Sequence, residues 1–239
     1  MTMPARSCPA DFSPLRRAGL NLHAVFDAAW LPVPLATELQ RDFAPAHEVR
    51  QLILIGNAGR ALWSSVKAAR LASDDPIDDF SVGAVAQWFA EQLPGHRYTL
   101  LYPGDKPVGL QALGQLAGWH HATPFRVGIL PGWGSWFAYR AALLADTALP
   151  PTAPLQVESP CLSCAARPCI AACPAQAMAG GRFALEACVD YRRLPDSRCA
   201  HACVARDACP VGREHRYDEE HMRHSYGASL RAIERYFPA

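Results

Sequence analysis

At 239 residues the chain is long enough for one large domain, or for one domain with a smaller appendage. Half of the residues are apolar, 19% are charged and the formal net charge is +1. That is the balance of an ordinary globular protein, with no global field to attract nucleic acid or an anionic membrane. No apolar run approaches the roughly 20 residues of a spanning helix, and the opening MTMPARSCPADFSPLRR lacks the apolar stretch of a secretory signal. The expected location is the cytoplasm, with neither a membrane nor nucleic acid as partner.

Residues 1–150 read as a mixed α/β segment. QLILIGNAG is a short apolar run closed by turn residues, which predicts a buried strand entering a turn. Within it, Gly56 and Gly59 suit a phosphate-approaching strand–helix turn or simple turn geometry. RALWSSVKAAR predicts a helix. VGAVAQWFAEQL predicts another, with Val85, Trp88, Phe89 and Leu93 on its apolar side. YTLLYP and FRVGIL predict strands, each closed by proline. GSWFAYRAALLAD predicts a helix, with Ser135 available to cap its start.

LPPTAPLQVESP holds four prolines and predicts a semi-rigid linker. The expected domains are therefore 1–150 and 151–239. The tail, REHRYDEEHMRHSYGASLRAIERYF, predicts one or two solvated helices covering the preceding module.

The chain has nine cysteines. Cys8 stands alone and reads as a plain thiol; the others fall between Cys161 and Cys209. In a reducing compartment such a block points to metal binding or redox chemistry before disulfides. Its spacing is Cys161-x2-Cys164-x4-Cys169-x3-Cys173-Pro, then Cys188, then Cys199-x3-Cys203-x5-Cys209-Pro. Two-cluster ferredoxins use C-x2-C-x2-C-x3-C-P, in which the fourth cysteine ligates the other cluster. A short loop wraps three thiolates round one cluster, and the following turn carries the fourth to the second. That rule groups Cys161, Cys164, Cys169 and Cys209 as one 4Fe–4S site and Cys173, Cys188, Cys199 and Cys203 as another. The loops after Cys164 and Cys203 are longer than in the usual pattern. Two four-thiolate zinc sites, a disulfide framework or unligated thiols are the other readings of these residues.

Further residues invite chemistry. Arg140, on the predicted helix, either binds an anionic group through its planar fork or reaches solvent or Asp146. Trp133, Trp136, Phe137 and Tyr139 form an aromatic patch suited to a macrocycle or flavin, or to core packing. The pairs His120/His121 and His221/His224 read as surface or interface histidines.

The cysteine block, with its lone Cys188 and final Cys209-Pro210, resembles the tail domain of the epoxyqueuosine reductase and reductive dehalogenase group. GILPGWGSWFAYRAALL resembles the HPxxGxWFALRG-type motif of CblC-type cobalamin-trafficking proteins. Gly134, Trp136, Phe137, Ala138 and Arg140 fit that motif, and Leu130-Pro131 stands where the family shows His-Pro. The whole pattern also resembles small bacterial proteins labelled only as ferredoxins. These resemblances imply an α+β fold, with a nitroreductase-like α/β domain followed by a small ferredoxin-like module. They imply a corrinoid (cobalamin) pocket that includes Arg140, Trp136 and Gly134. The function they imply is an iron–sulfur redox protein, an oxidoreductase of the cobalamin-dependent type. Two 4Fe–4S clusters would pass electrons to a substrate or corrinoid, with a reductase or ferredoxin as partner. A non-catalytic cobalamin carrier or chaperone and a simple ferredoxin-type electron carrier are the alternatives. No catalytic residue is assigned.

Overall fold

The computed structural model describes residues 10–236; Cys8 and the basic opening lie outside the described residues. The chain divides into two compact units. One takes residues up to 117 together with 138–154, and the other takes 118–137 together with 155 onward.

The first unit carries helices α1 (Ser13–Arg17), α2 (Val33–Phe43), α3 (Ala61–Ala69), α4 (Pro76–Gln92) and α5 (Leu110–Leu116). Its strands are β1 (Leu22–Asp27), β2 (Gln51–Ala58), β3 (Tyr98–Tyr102) and β4 (Phe137–Ala145), in the sheet order β1-β2-β4-β3. β1 and β2 pair antiparallel from Leu22↔Gly56 to Asp27↔Gln51. β3 and β4 also pair antiparallel, with an irregularity between Leu100 and Tyr102.

β2 is buried at every position, which explains its unbroken apolar run. Alternation along the strand sends Ile53 and Ile55 to one face. There they join Leu15, Leu62, Trp88, Phe89 and Leu143 in the principal core. Each such fully buried large side chain contributes about 1.5–3 kcal/mol. The apolar side foreseen on α4 is real: Val85, Trp88, Phe89 and Leu93 are all buried. Trp88 also donates its indole N–H to the Asp11 carbonyl at 2.9 Å. The polar ends of β2 are satisfied as burial requires. Gln51 Oε1 accepts from Thr147 Oγ1 at 2.8 Å and from Leu149 N at 2.9 Å, while its amide donates to Leu149 O at 2.6 Å.

Two expected elements differ from the structure. GSWFAYRAALLAD does not form a helix; Phe137–Ala145 is β4, an inner strand of the sheet. Its alanines and leucines favour helix locally, but pairing within the sheet overrides that preference. Ala141, Leu143 and Ala145 alternate into the principal core. FRVGIL does not form a strand. Arg126 sits at φ 68°, a left-handed conformation that a strand cannot pass through. Only isolated bridges, His121↔Ile129 and Leu130↔Gly134, tie this stretch down.

The proline-rich segment does not hang freely. Thr152 N donates to Val25 O at 2.8 Å, and Val25 N donates to Thr152 Oγ1 at 3.0 Å. Its first half is thereby strapped to β1, and Leu155 begins the return into the second unit.

The second unit is built on short helices α6 (Pro168–Ala172), α7 (Leu185–Arg193) and α8 (Val204–Ala208), followed by α9 (Glu219–Tyr236). Phe125, Cys169, Met178 and Ala205 form one small core, with Val127, Ile170 and Phe183 packed against it. Trp136, Tyr217 and Met222 form another. No helix among the described residues is long and apolar enough to cross a membrane.

Candidate metal centre

The eight clustered cysteines lie in the second unit, and two local motifs of the same design position them. Ser159 Oγ accepts from Cys161 N at 3.3 Å, and Ser197 Oγ accepts from Cys199 N at 3.2 Å. A serine two residues ahead thus fixes the turn carrying the first cysteine of each half. Each half then runs through a five-residue helix, α6 or α8. Cys173 and Cys209 end these helices in extended conformation, with N–H bonds to Ile170 O at 3.3 Å and Arg206 O at 3.1 Å. The proline after each stops the helix, because it can neither donate nor hold helical geometry before it. The chain therefore leaves each short helix at a cysteine.

Those exits place the thiols in two groups. Cys161, Cys164, Cys169 and Cys209 line a cavity of about 500 Å³, together with His120, His121 and Phe125. Cys173, Cys188, Cys199 and Cys203 line a second cavity of about 280 Å³, together with Arg192, Arg206 and Tyr226. The terminal cysteine of each half thus faces the cavity of the other half, as the two-cluster spacing rule groups them.

The electrostatics follow the same grouping. Burial pushes the thiols of Cys161 and Cys169 up, and Cys209 adds to the effect on both. Burial likewise raises Cys188, with Cys173 and Cys199 adding to it. Cys203 is pushed up to about 11, chiefly by burial, with Cys199 and Cys188 contributing. Each of these thiol–thiol effects falls within one quartet. All eight are free of disulfides.

Among the described residues, no group of three or more His, Cys, Asp or Glu side chains converges closely enough to grip a single metal ion. The quartets surround volumes and do not meet at points. Four thiol donors round each cavity are the donor set that an iron–sulfur cluster takes.

The histidines depart from expectation. His120 is buried, and both it and His121 line the first cavity. Burial holds His120 below the ordinary imidazole range, and His121 adds to that. His121 Nε2 is buried without a hydrogen-bond partner. His221 is also buried, stacked on Tyr217 at 4.0 Å. A sequence pattern of paired histidines cannot distinguish a surface pair from one folded into a loop-rich core.

Of the residues matched to the cobalamin motif, Gly134, Trp136 and Phe137 fall in the second unit. Trp136 is 1% exposed, edge-on to Tyr217 and under the Arg206 guanidinium at 4.1 Å, so its ring has no open face. Gly134 has φ 66°, and a Cβ there would lie 2.2 Å from Val211 O; its lack of a side chain serves close backbone approach. Arg140 stands on β4 in the first unit. It donates through Nε to Asn57 Oδ1 at 2.6 Å and lies 4.0 Å from Asp78. The sequence-based pairing with Asp146 does not form: Asp146 is engaged by His96 at 3.0 Å and Arg97 at 3.6 Å. Around Arg140, Tyr102 is held above its ordinary range by burial and by the Asp78 charge.

Ser159, Ser197, Arg192, Arg206 and Tyr226 were not singled out in the sequence. The serines had a signal, the repeated Ser-x-Cys at the head of each half. The arginines had none, because a buried arginine on a short charged helix reads like a solvated one.

No protein-family model matches the sequence, and no curated protein matches it. Solved structures share its fold. An epoxyqueuosine reductase bound to an epoxyqueuosine-modified tRNA-Tyr stem loop matches with a TM-score of 0.57 and 15% identity, over 89% of this chain and 67% of that one. The epoxyqueuosine reductase of Streptococcus thermophilus matches with a TM-score of 0.52 and 14% identity, over 84% and 65%. A reductive dehalogenase whose structure suggests a mechanism for B12-dependent dehalogenation matches with a TM-score of 0.53 and 12% identity, over 98% and 36%. The chain spans about two-thirds of the length of these epoxyqueuosine reductases and about a third of the dehalogenase. At such identities the likeness is one of fold. These neighbours belong to the group that the cysteine block resembles.

Proposed function

Starting from a fold shared with epoxyqueuosine reductases and a B12-dependent dehalogenase, we propose that this protein is an iron–sulfur redox protein. Its two cysteine quartets hold two 4Fe–4S clusters and pass electrons to a substrate or corrinoid bound by the first unit. The observation that carries this reading is the pair of cavities, each lined by four thiols, with Cys173 and Cys209 exchanged between the halves. Two four-thiolate zinc sites, with sulfurs about 2.3 Å from each metal, are the competing reading, and metal analysis separates them from iron.

A 4Fe–4S cluster, when bound, supplies one-electron exchange at a potential set by charge, hydrogen bonds and exposure. The chain's own contribution is to hold and to insulate. Ser159 and Ser197 fix the leading cysteines, α6 and α8 aim the trailing ones, and Phe125, Met178 and Phe183 keep water from the space between. Because burial raises the thiols of Cys161, Cys169, Cys188 and Cys203, loading releases protons and grows more favourable as pH rises.

The corrinoid rests on the fold alone, with Arg140 as the proposed contact for an anionic group in the first unit. A simple electron carrier is the second reading, and the burial of Trp136 favours it, since that ring has no face left for a macrocycle. Anaerobic titration with a corrinoid separates the two. A shift in the corrinoid spectrum that Arg140→Ala abolishes supports the reductase; no shift in either protein supports the carrier.

The exclusion of nucleic acid drawn from net charge finds no support, since one structural neighbour is bound to a tRNA stem loop. A near-zero total from 23 basic and 22 acidic residues is a sum, and it does not describe local patches.

A further inference from the structure

The two cavities carry unequal charge. The second is lined by two buried arginines, Arg192 and Arg206. Arg192 donates through Nε to Cys199 O at 3.1 Å, through Nη1 to Ser229 Oγ at 3.0 Å and through Nη2 to Tyr226 O at 3.1 Å. Its guanidinium lies 5.4 Å from the Tyr226 ring centre. Arg206 donates through Nε to Ser135 Oγ at 3.2 Å and through Nη2 to Ser135 O. It is packed over Trp136 at 4.1 Å and faces Tyr217 at 5.2 Å.

Every one of these partners is neutral. Among the described residues, no carboxylate pairs with either arginine within 4.0 Å. The acid next in the chain, Asp207, is half-buried and makes no ion pair with Arg206 within 4.0 Å. A guanidinium stays charged in a protein, and burying such a charge uncompensated is costly. The second cavity therefore has a standing demand for negative charge. The first has no such demand: its one lining arginine, Arg167, is exposed, and its histidines are not permanent charges.

Resting on the iron–sulfur reading above, we infer that Arg192 and Arg206 make the Cys173/Cys188/Cys199/Cys203 site the higher-potential member of the pair. A cluster gains one negative charge on reduction, and a buried positive charge favours the reduced form. The balance is one electron leaving the first cluster and one entering the second, with no bond made or broken. Electrons then run from the first quartet to the second.

The test is an EPR-monitored redox titration of the anaerobically prepared full chain, together with Arg192→Met, Arg192→Lys, Arg206→Met and Arg206→Lys. The wild-type protein should titrate in two waves. Each Met variant should lower the higher-potential wave alone by at least about tenfold in its reduction equilibrium, which is about 59 mV for one electron. Each Lys variant, which keeps the charge, should restore most of that shift. A shift of the lower wave, an equal shift of both waves, or equal effects of Lys and Met would overturn the inference while leaving the iron–sulfur reading intact. A wild-type protein without iron would overturn both.

Discussion

Cys209 follows α8 and precedes Pro210, yet it lines the cavity of Cys161, Cys164 and Cys169. This crossing makes a sharp prediction. Cys188→Ala and Cys209→Ala should each reduce bound iron from about eight to about four per chain, and the double variant should retain almost none. A double variant that keeps about four irons would place both cysteines at one site. His23 gives a prediction in the other unit. Burial lowers its imidazole from 6.5 to about 4, while Nε2 holds the Leu20 carbonyl at 2.7 Å. Between those values the unfolded chain binds the extra proton and the folded chain does not. Stability from this group is therefore complete above pH 6.5 and falls as pH drops towards about 4, by at most about 3 kcal/mol. Urea unfolding across that range should show the slope in the wild type and its loss in His23→Phe. At this scale the linings of the two cavities follow the cysteine spacing and the Cys-Pro exits, which are features of local chain geometry. The guanidiniums of Arg192 and Arg206 were not legible, since only tertiary contacts distinguish a buried arginine from a solvated one.

Among the elements, β4 teaches most. Its sequence, FAYRAALLA, carries helix-forming alanines and leucines, and nothing local reveals that β2 and β3 flank it. Because Arg140 is on a strand, it meets Asn57 of β2 and not a residue one helical turn away. The close approach behind this arrangement is at Gly56, where a Cβ would lie 2.7 Å from Ala138 O. Gly56→Ala should therefore push β2 from β4 and cost about 1–3 kcal/mol, read as a lower urea midpoint. A neutral substitution would mean that the strands do not approach so closely. β2 and α4 were legible because their apolar patterns are strong and their burial matches the pattern. The bridge-held stretch 121–134 was not, since a single left-handed residue, Arg126, ends a run that otherwise looks like a strand.

For the whole molecule, one chain carries two units, and the second borrows residues 118–137 from the middle of the first. No composition shift marks that excursion, so the sequence suggested one boundary, in the proline-rich stretch. The fold is shared with longer proteins, and the thiol quartets are the feature to test. The most direct test is iron, acid-labile sulfide and EPR analysis of protein purified without oxygen. The account predicts brown protein with about eight iron and about eight sulfide per chain, and reduced-state EPR signals from two clusters. Colourless protein that carries zinc, or no metal, would contradict it.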